Sequence, residues 1–223
     1  MDSELLFEVP FRFPGLPEAG FGTFVIHDRG ARREAIIAAF HPPLKLLGED
    51  LVERLEPFAK SPLHAHLPRL DWPAGYQPFC TWLALSHQSH GYQAGPQLNL
   101  GVHADHVAVR LAWDAATPGF GRFEFLCRFG GLGATLVEVA QKERLLFRVY
   151  AAARWPEGSR CVFESDSDID GAFREVARRG VWFELGERFE LPAAKDVVTT
   201  PALGQRAAVI FRALLPALER LAA

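Results

Sequence analysis

The sequence predicts an α+β protein, with a mostly antiparallel sheet centred on residues 79–113 and packed against several helices. Three observations predict it. First, Leu98, Leu100 and Val102 alternate, as do Val107, Val109, Leu111 and Trp113, and the intervening HADH at 103–106 fits a tight hairpin connection. Second, apolar residues elsewhere recur at steps of three and four, the period of a helix with one buried stripe. Third, the chain has 223 residues, 49% apolar and 23% charged, with no repeat, low-complexity run or linker. A chain of that size can bury roughly 70% of its extended surface. One domain over residues 1–223 is therefore expected.

Taken in order, residues 1–20 carry Pro10, Pro14, Gly15 and Pro17 and read as an irregular leader. Phe21–Ile26 is a strand candidate, rich in aromatic and β-branched residues. Two helices are expected next, Ala31–Phe40 and about 43–59, separated by Pro42 and Pro43; Leu44, Leu47, Leu51, Leu55 and Phe58 form the second one's stripe. Residues 61–78 contain four prolines and read as a loop. Phe79–Leu85 reads as a buried strand, Ser86–Gln97 as a polar loop, and the hairpin follows with Leu100 and Val109 at its centre.

Residues 118–142 read two ways, as alternating strand or as helix, with a helix favoured over at least 132–142 because Gly130, Gly131 and Gly133 weaken a longer one. Leu145–Ala151 and Cys161–Glu164 read as strands around a turn at Trp155–Ser159. Ser167–Arg179 has the marks of a helix: Ser167 to cap it, acids in its first turn, arginines in its last and Gly180 beyond. Val181–Phe189 is a further strand. A closing helix from about 202 to 221 buries Leu203, Ala207, Ile210, Leu214, Leu218 and Leu221, with Pro216 expected to kink it.

Composition narrows the function. A net charge of −3 and scattered arginines give no basic stripe, so nucleic acid is not an expected partner. No apolar run approaches the ~18 residues that span a bilayer. The start MDSELLFEVPFRF lacks the basic and apolar regions of a signal peptide. Cys80, Cys127 and Cys161 are odd in number and widely spaced, as expected of reduced thiols in the cytoplasm.

Six of the eight histidines lie between 64 and 106, as His64-x-His66, His87-x-x-His90 and His103-x-x-His106. Imidazole is the commonest neutral metal ligand, but loop HxxH spacing imposes no geometry, and no HExxH helix or Cys/His knuckle is present. Neither a G-x-S-x-G elbow nor a phosphate-binding glycine loop occurs. No cofactor, metal or catalytic residue is assigned. In polar loops an aromatic such as Tyr92 or Trp72 can stack on a ligand ring, and loops held by a rigid sheet are where binding residues concentrate.

The central stretch resembles the YktB-like family of uncharacterised bacterial proteins. Thr81, Trp82 and Ala84 match its T-W-φ-A run (φ is apolar). Gly91 and Tyr92 match R-G-Y; Pro96, Asn99 and Gly101 match P-x-φ-Q-φ-G; and His106 matches the turn. Phe24–Ile26 and Leu47-Gly48-Glu49 are similar to upstream segments. The match departs where His90 stands for Arg, Asn99 for Gln, and His103 for an aromatic residue. The resemblance implies an α+β fold and no particular activity.

The expected function is binding of a small polar or anionic ligand, with His66, Trp82, His90, Tyr92, Asn99 and His106 as the binding residues. The alternatives are a metal-dependent hydrolase using loop histidines and a protein-interaction domain.

Overall fold

The central hairpin forms as its alternation predicts. A computed structural model describes residues 9–71, 78–117, 119–151, 160–179 and 182–222; Trp72 and the turn expected at 155–159 lie outside these. Strand β3 (Gln97–His103) pairs with β4 (His106–Asp114) across the two residues Ala104 and Asp105, with Leu100 opposite Val109. Both are fully buried. The other strands are β1 (His64–His66), β2 (Cys80–Ser86), β5 (Leu146–Ala151), β6 (Arg160–Ser165) and β7 (Trp182–Glu190). They form one antiparallel sheet in the order β1-β2-β3-β4-β7-β5-β6. The chain is α+β, as expected.

The helices are α1 (Arg29–Leu55), α2 (Phe120–Phe129), α3 (Leu132–Glu143), α4 (Ile169–Arg179), α5 (Lys195–Val198) and α6 (Ala202–Ala222). They bury their apolar sides against one face of the sheet. Helix α1 lies on β1 and β2, α6 on β3 and β4, and α4 on β5 to β7. Phe120 and Phe123 of α2, Phe173 of α4 and Phe183 of β7 form an aromatic cluster with ring centroids 5.2–6.2 Å apart.

Several elements differ from expectation. The two helices expected on either side of Pro42 and Pro43 are one, α1, with both prolines inside it. Each proline removes a backbone donor, but the buried stripe Ile36, Phe40, Leu44, Leu47, Leu51 and Leu55 runs unbroken past them. Each such side chain contributes roughly 1.5–3 kcal/mol, enough to hold the helix through the missing bonds.

The strand expected at Phe21–Ile26 is a 3₁₀ helix over Glu18–Val25. Phe21 and Phe24, three residues apart, share a face of that helix and both pack on Phe40, at 5.3 and 5.6 Å. A Cβ on Gly20 would come within 2.9 Å of the Phe40 ring, so glycine permits the approach. The loop expected at 61–78 contains the short edge strand β1. In the stretch that reads two ways, Phe120–Phe129 and Leu132–Glu143 are helices, on either side of Gly130 and Gly131. The α4 cap is Asp168, one residue later than Ser167: its Oδ1 accepts the Gly171 N–H at 2.7 Å, and Ser165 Oγ accepts those of Ser167 and Asp168.

Asp50 ties the irregular N-terminal segment to α1. This buried carboxylate accepts the backbone N–H groups of Arg12 (2.8 Å) and Phe13 (2.9 Å) and the Arg12 Nε–H (2.7 Å). Asp50→Ala strands two donors, and an unmet buried donor costs about 1–3 kcal/mol. Urea denaturation is expected to show a loss of about 2 kcal/mol, with faster amide exchange at Phe13 than in the wild type.

Candidate functional site

Side chains on a strand alternate between faces. The residues opposite the core positions therefore define a second sheet face, away from the helices. It is unusually polar for a face so little exposed: Gln97, Asn99, Arg148 and Glu184 are all buried there.

Register places these side chains in rows. One row across the sheet runs Trp82, Gly101, Ala108, Arg188. The next runs His66, Ala84, Asn99, Arg110, Gly186. On the other side, Cys80 pairs with His103, and His106 with Glu190. Two minimal residues, Gly101 and Ala108, thus form a floor. Trp82 and Arg188 stand at its ends, with Asn99 and Arg110 along one side and His103 and His106 along the other.

A hydrogen-bond chain fixes Arg110. Asn99 donates to Gln97 Oε1 at 3.2 Å and accepts the Arg110 Nε–H at 3.2 Å. Arg110 Nη1 donates to Glu184 Oε1, which also accepts the Trp182 indole N–H at 2.7 Å. The guanidinium lies over Gly101: a Cβ there would meet Arg110 Nη2 at 2.8 Å and His103 Nε2 at 3.3 Å. Glycine is needed at 101 for that approach. His103 Nε2 is buried and has no hydrogen-bond partner. Its ring stacks on His106 at 4.2 Å, and His106 Nδ1 donates to Asp105 at 2.7 Å.

Burial, reinforced by His106, Arg110 and Arg188, holds the His103 pKa well below its ordinary value. Burial also lowers that of His106, against the opposing bond to Asp105. Burial pushes the Cys80 thiol up to about 12, despite Arg110.

These histidine shifts predict a pH dependence. A depressed folded-state pKa means that the unfolded chain binds more protons. The stability from the neutral rings is present in full above pH 6.5 and is lost as the pH falls toward the folded-state values. Each ring contributes a slope of at most about 1.4 kcal/mol per pH unit. Urea melts are expected to show lower stability at about pH 5.5 than at about pH 7.5. His41 and His66 shift the same way through burial, so His103→Gln is expected to flatten the profile without abolishing it.

The polar loop after β2 folds onto one end of this face. Gly91, at φ +67°, turns the chain into a short 3₁₀ turn, Tyr92–Ala94. The Tyr92 ring stacks on His66 at 4.4 Å, and its hydroxyl accepts the Trp82 indole N–H at 3.1 Å. His66 Nε2 donates to Gln88 O at 2.8 Å, which pins the loop to β1.

Of the six expected binding residues, His66, Trp82 and Tyr92 come together under the loop. Asn99 belongs to the Arg110 chain, and His106 stands at the hairpin end of the same face. His90 is exposed on the loop, its Nδ1 3.0 Å from Ser89 Oγ. Of the clustered histidines, His64 lies near His66 and His103 stacks on His106, while His87 joins Pro62 O at 3.0 Å and the Glu219 carboxylate at 3.3 Å. Among the described residues, no group of three or more His, Cys, Asp or Glu side chains could hold a metal ion. Nor is any described helix long and apolar enough to cross a membrane.

Sequence reasoning missed Arg110, Glu184 and Arg188, and weighed His103 only as a metal ligand. Their signal was present: Arg110 interrupts VAVRLAW and Glu184 interrupts WFELG, each a charge within a strand that is otherwise mostly apolar.

Two open hollows are also present. One, about 550 Å³, runs along β1 and is lined by Glu49, Glu53, His64, His66 and Ser89, so that His66 borders it; the other, about 530 Å³, lies between Pro14–Pro17 and the α1 prolines.

Residues 17–118 match the family model described as "Domain of unknown function (DUF1054)". Curated relatives carry the name UPF0637 protein. That of Oceanobacillus iheyensis is 33% identical over 98 residues, covering 44% of this chain and 48% of the relative. That of Shouchella clausii is 27% identical over 108 residues, covering 48% and 51%. That of Listeria innocua is 28% identical over 101 residues, covering 45% and 50%. Residues 17–118 are thus similar to the YktB-like family. The chain spans about half the length of the curated relatives it matches. The YktB-like segment contains β1 to β4, and with them Trp82, Tyr92, Asn99, Gly101, His103 and Arg110. Glu184 and Arg188 lie on β7, beyond it. The YktB-like relatives' names state no activity.

Proposed function

We propose that the helix-free face of the sheet binds a small polar or anionic molecule, and that the chain works as one cytoplasmic domain. His66, Trp82, Tyr92, Asn99 and His106 contact or frame the ligand, and His90 stands at the rim. The observation that carries this reading is the Gly101–Ala108 floor, enclosed by Trp82, Arg110, His103 and Arg188. Concave surfaces with a few fixed polar groups and aromatic walls are typical ligand sites. The one-domain reading is supported by β7, from outside the YktB-like segment, pairing along the whole of β4.

Thermal shift against nucleotides, sugar phosphates and small carboxylates tests the reading. A ligand that binds only the folded chain adds about 2.7 kcal/mol of stability at 100 times its Kd, so a hit is expected to raise the melting temperature clearly. Combining His90→Ala with Tyr92→Phe removes the Tyr92 hydroxyl that accepts the Trp82 indole N–H. The pair is expected to weaken the response while moving the unliganded melting temperature little. No stabilising compound, or an equal response in the variant, would remove these residues from the site.

A further inference from the structure

We infer that Arg110 Nη2 and His103 Nε2, side by side next to Gly101, form an oxyanion subsite that takes one carboxylate or phosphate group between them; this rests on the binding reading above.

Two donors lie side by side. Arg110 Nη2 and His103 Nε2 both pack against Gly101, 2.8 Å and 3.3 Å from where a Cβ there would be, so the missing side chain lets the two approach each other. Arg110 is held in place from behind: Nε donates to Asn99 and Nη1 to Glu184. Nη2, with no hydrogen bond among the described residues, is the edge left for a third partner. Guanidinium edges match carboxylate and phosphate oxygens in geometry and charge.

His103 supplies the independent observation. Buried polar atoms are nearly always hydrogen-bonded, so an unpartnered buried nitrogen calls for a partner. His103 Nε2 is such an atom, and stacking on His106 fixes its ring. Among cationic neighbours the ring is neutral, and its Nε2–H tautomer donates to an anion.

Charge agrees with this assignment. Glu184 compensates Arg110 from the Nη1 side, away from the Nη2 and Nε2 donors. Arg188, across Ala108, adds a second guanidinium whose carboxylate partner, Glu190 at 3.1 Å, is exposed and solvent-screened. A neutral carbonyl could use the same donors, but a site with two arginines and two imidazoles gains more from an anion.

The experiment titrates inorganic phosphate and, separately, acetate into the wild type. It follows thermal shift and the His103 imidazole signals in long-range ¹H–¹⁵N spectra, assigned with His103→Gln. A saturable shift of the His103 signals with either anion is expected, and the stronger responder names the source chemistry. Gly101→Ala puts a methyl group 2.8 Å from Nη2 and 3.3 Å from Nε2, so the Arg110 guanidinium must be displaced from its place beside His103. It is expected to weaken anion binding about tenfold or more, the loss of at least one charge-assisted hydrogen bond. The His103 measurement on the wild type decides the matter even if that variant does not fold.

Neither anion moving the His103 signals, while uncharged compounds from the thermal-shift screen bind and are blocked by Tyr92→Phe, would overturn the subsite and leave the binding face standing. Anion binding undiminished in Gly101→Ala would also overturn it. No compound of any class binding would overturn both.

Discussion

Arg110→Ala is expected to destabilise the protein by about 3–5 kcal/mol, the cost of leaving a buried charge without its partner. The Arg110 and Glu184 side chains are only 12% and 4% exposed, so solvent screens their pairing little. Removing the guanidinium leaves Glu184 with the Trp182 N–H alone and strands the Asn99 carbonyl. The second substitution is diagnostic. Glu184→Gln in the Arg110→Ala background removes the unpaired charge and is expected to recover part of the loss, so the two changes are not additive. Urea denaturation of the four proteins in the cycle measures this. A loss under about 1 kcal/mol for Arg110→Ala, with additive effects, would mean that the pair is solvated and that Arg110 is not held in place.

Phe183→Ala is expected to lose about 3–5 kcal/mol, the range for deleting a buried aromatic ring. Phe183 projects from β7 into the core side of the sheet and is 1% exposed. It stacks on Phe173 at 5.8 Å and meets Phe120 and Phe123 edge-on at 6.1 and 5.2 Å. Those rings come from α4 and α2, so a single deletion loosens the contact of both helices with the sheet. Phe183→Leu keeps most of the volume and is expected to lose much less. Chemical denaturation gives both values. Equal small losses would place the cluster outside the cooperative core.

Strict alternation made the hairpin at 97–114 legible, because a strand with one face on a core has only one register that buries Leu98, Leu100 and Val102 together. Helix α6 was legible for the same kind of reason, from its stripe at helical spacing, and α4 from its capping residue and the charges at its two ends. Local signals misled where tertiary contacts decide. The FGTFVI stretch has strand-forming residues but packs Phe21 and Phe24 on Phe40 instead of pairing. Pro42 and Pro43 mark a break that the continuous stripe of α1 overrides. The three residues of β1 become a strand only because β2 offers an edge.

The candidate site was half legible. His66, Trp82, Tyr92, Asn99 and His106 share one face, as strand spacing and the loop between β2 and β3 allow. Arg110 was passed over because it looks ordinary alone, and His103 was weighed only as a metal ligand. Their importance comes from Gly101, on a neighbouring or the same strand, which lets the two approach each other. Glu184 is separated from Arg110 by 74 residues of sequence, and no local pattern pairs them.

The central claim is that the helix-free face, and not the hollow beside β1, receives the ligand. Amide and indole ¹H–¹⁵N shift mapping with the compounds that stabilise the wild type tests this most directly. Saturable changes at the Trp82 and Trp182 indoles and at the Gly101 and Ala108 amides are predicted. Changes confined to Glu49, Glu53 and His64, or none on the sheet face with any compound, would contradict it.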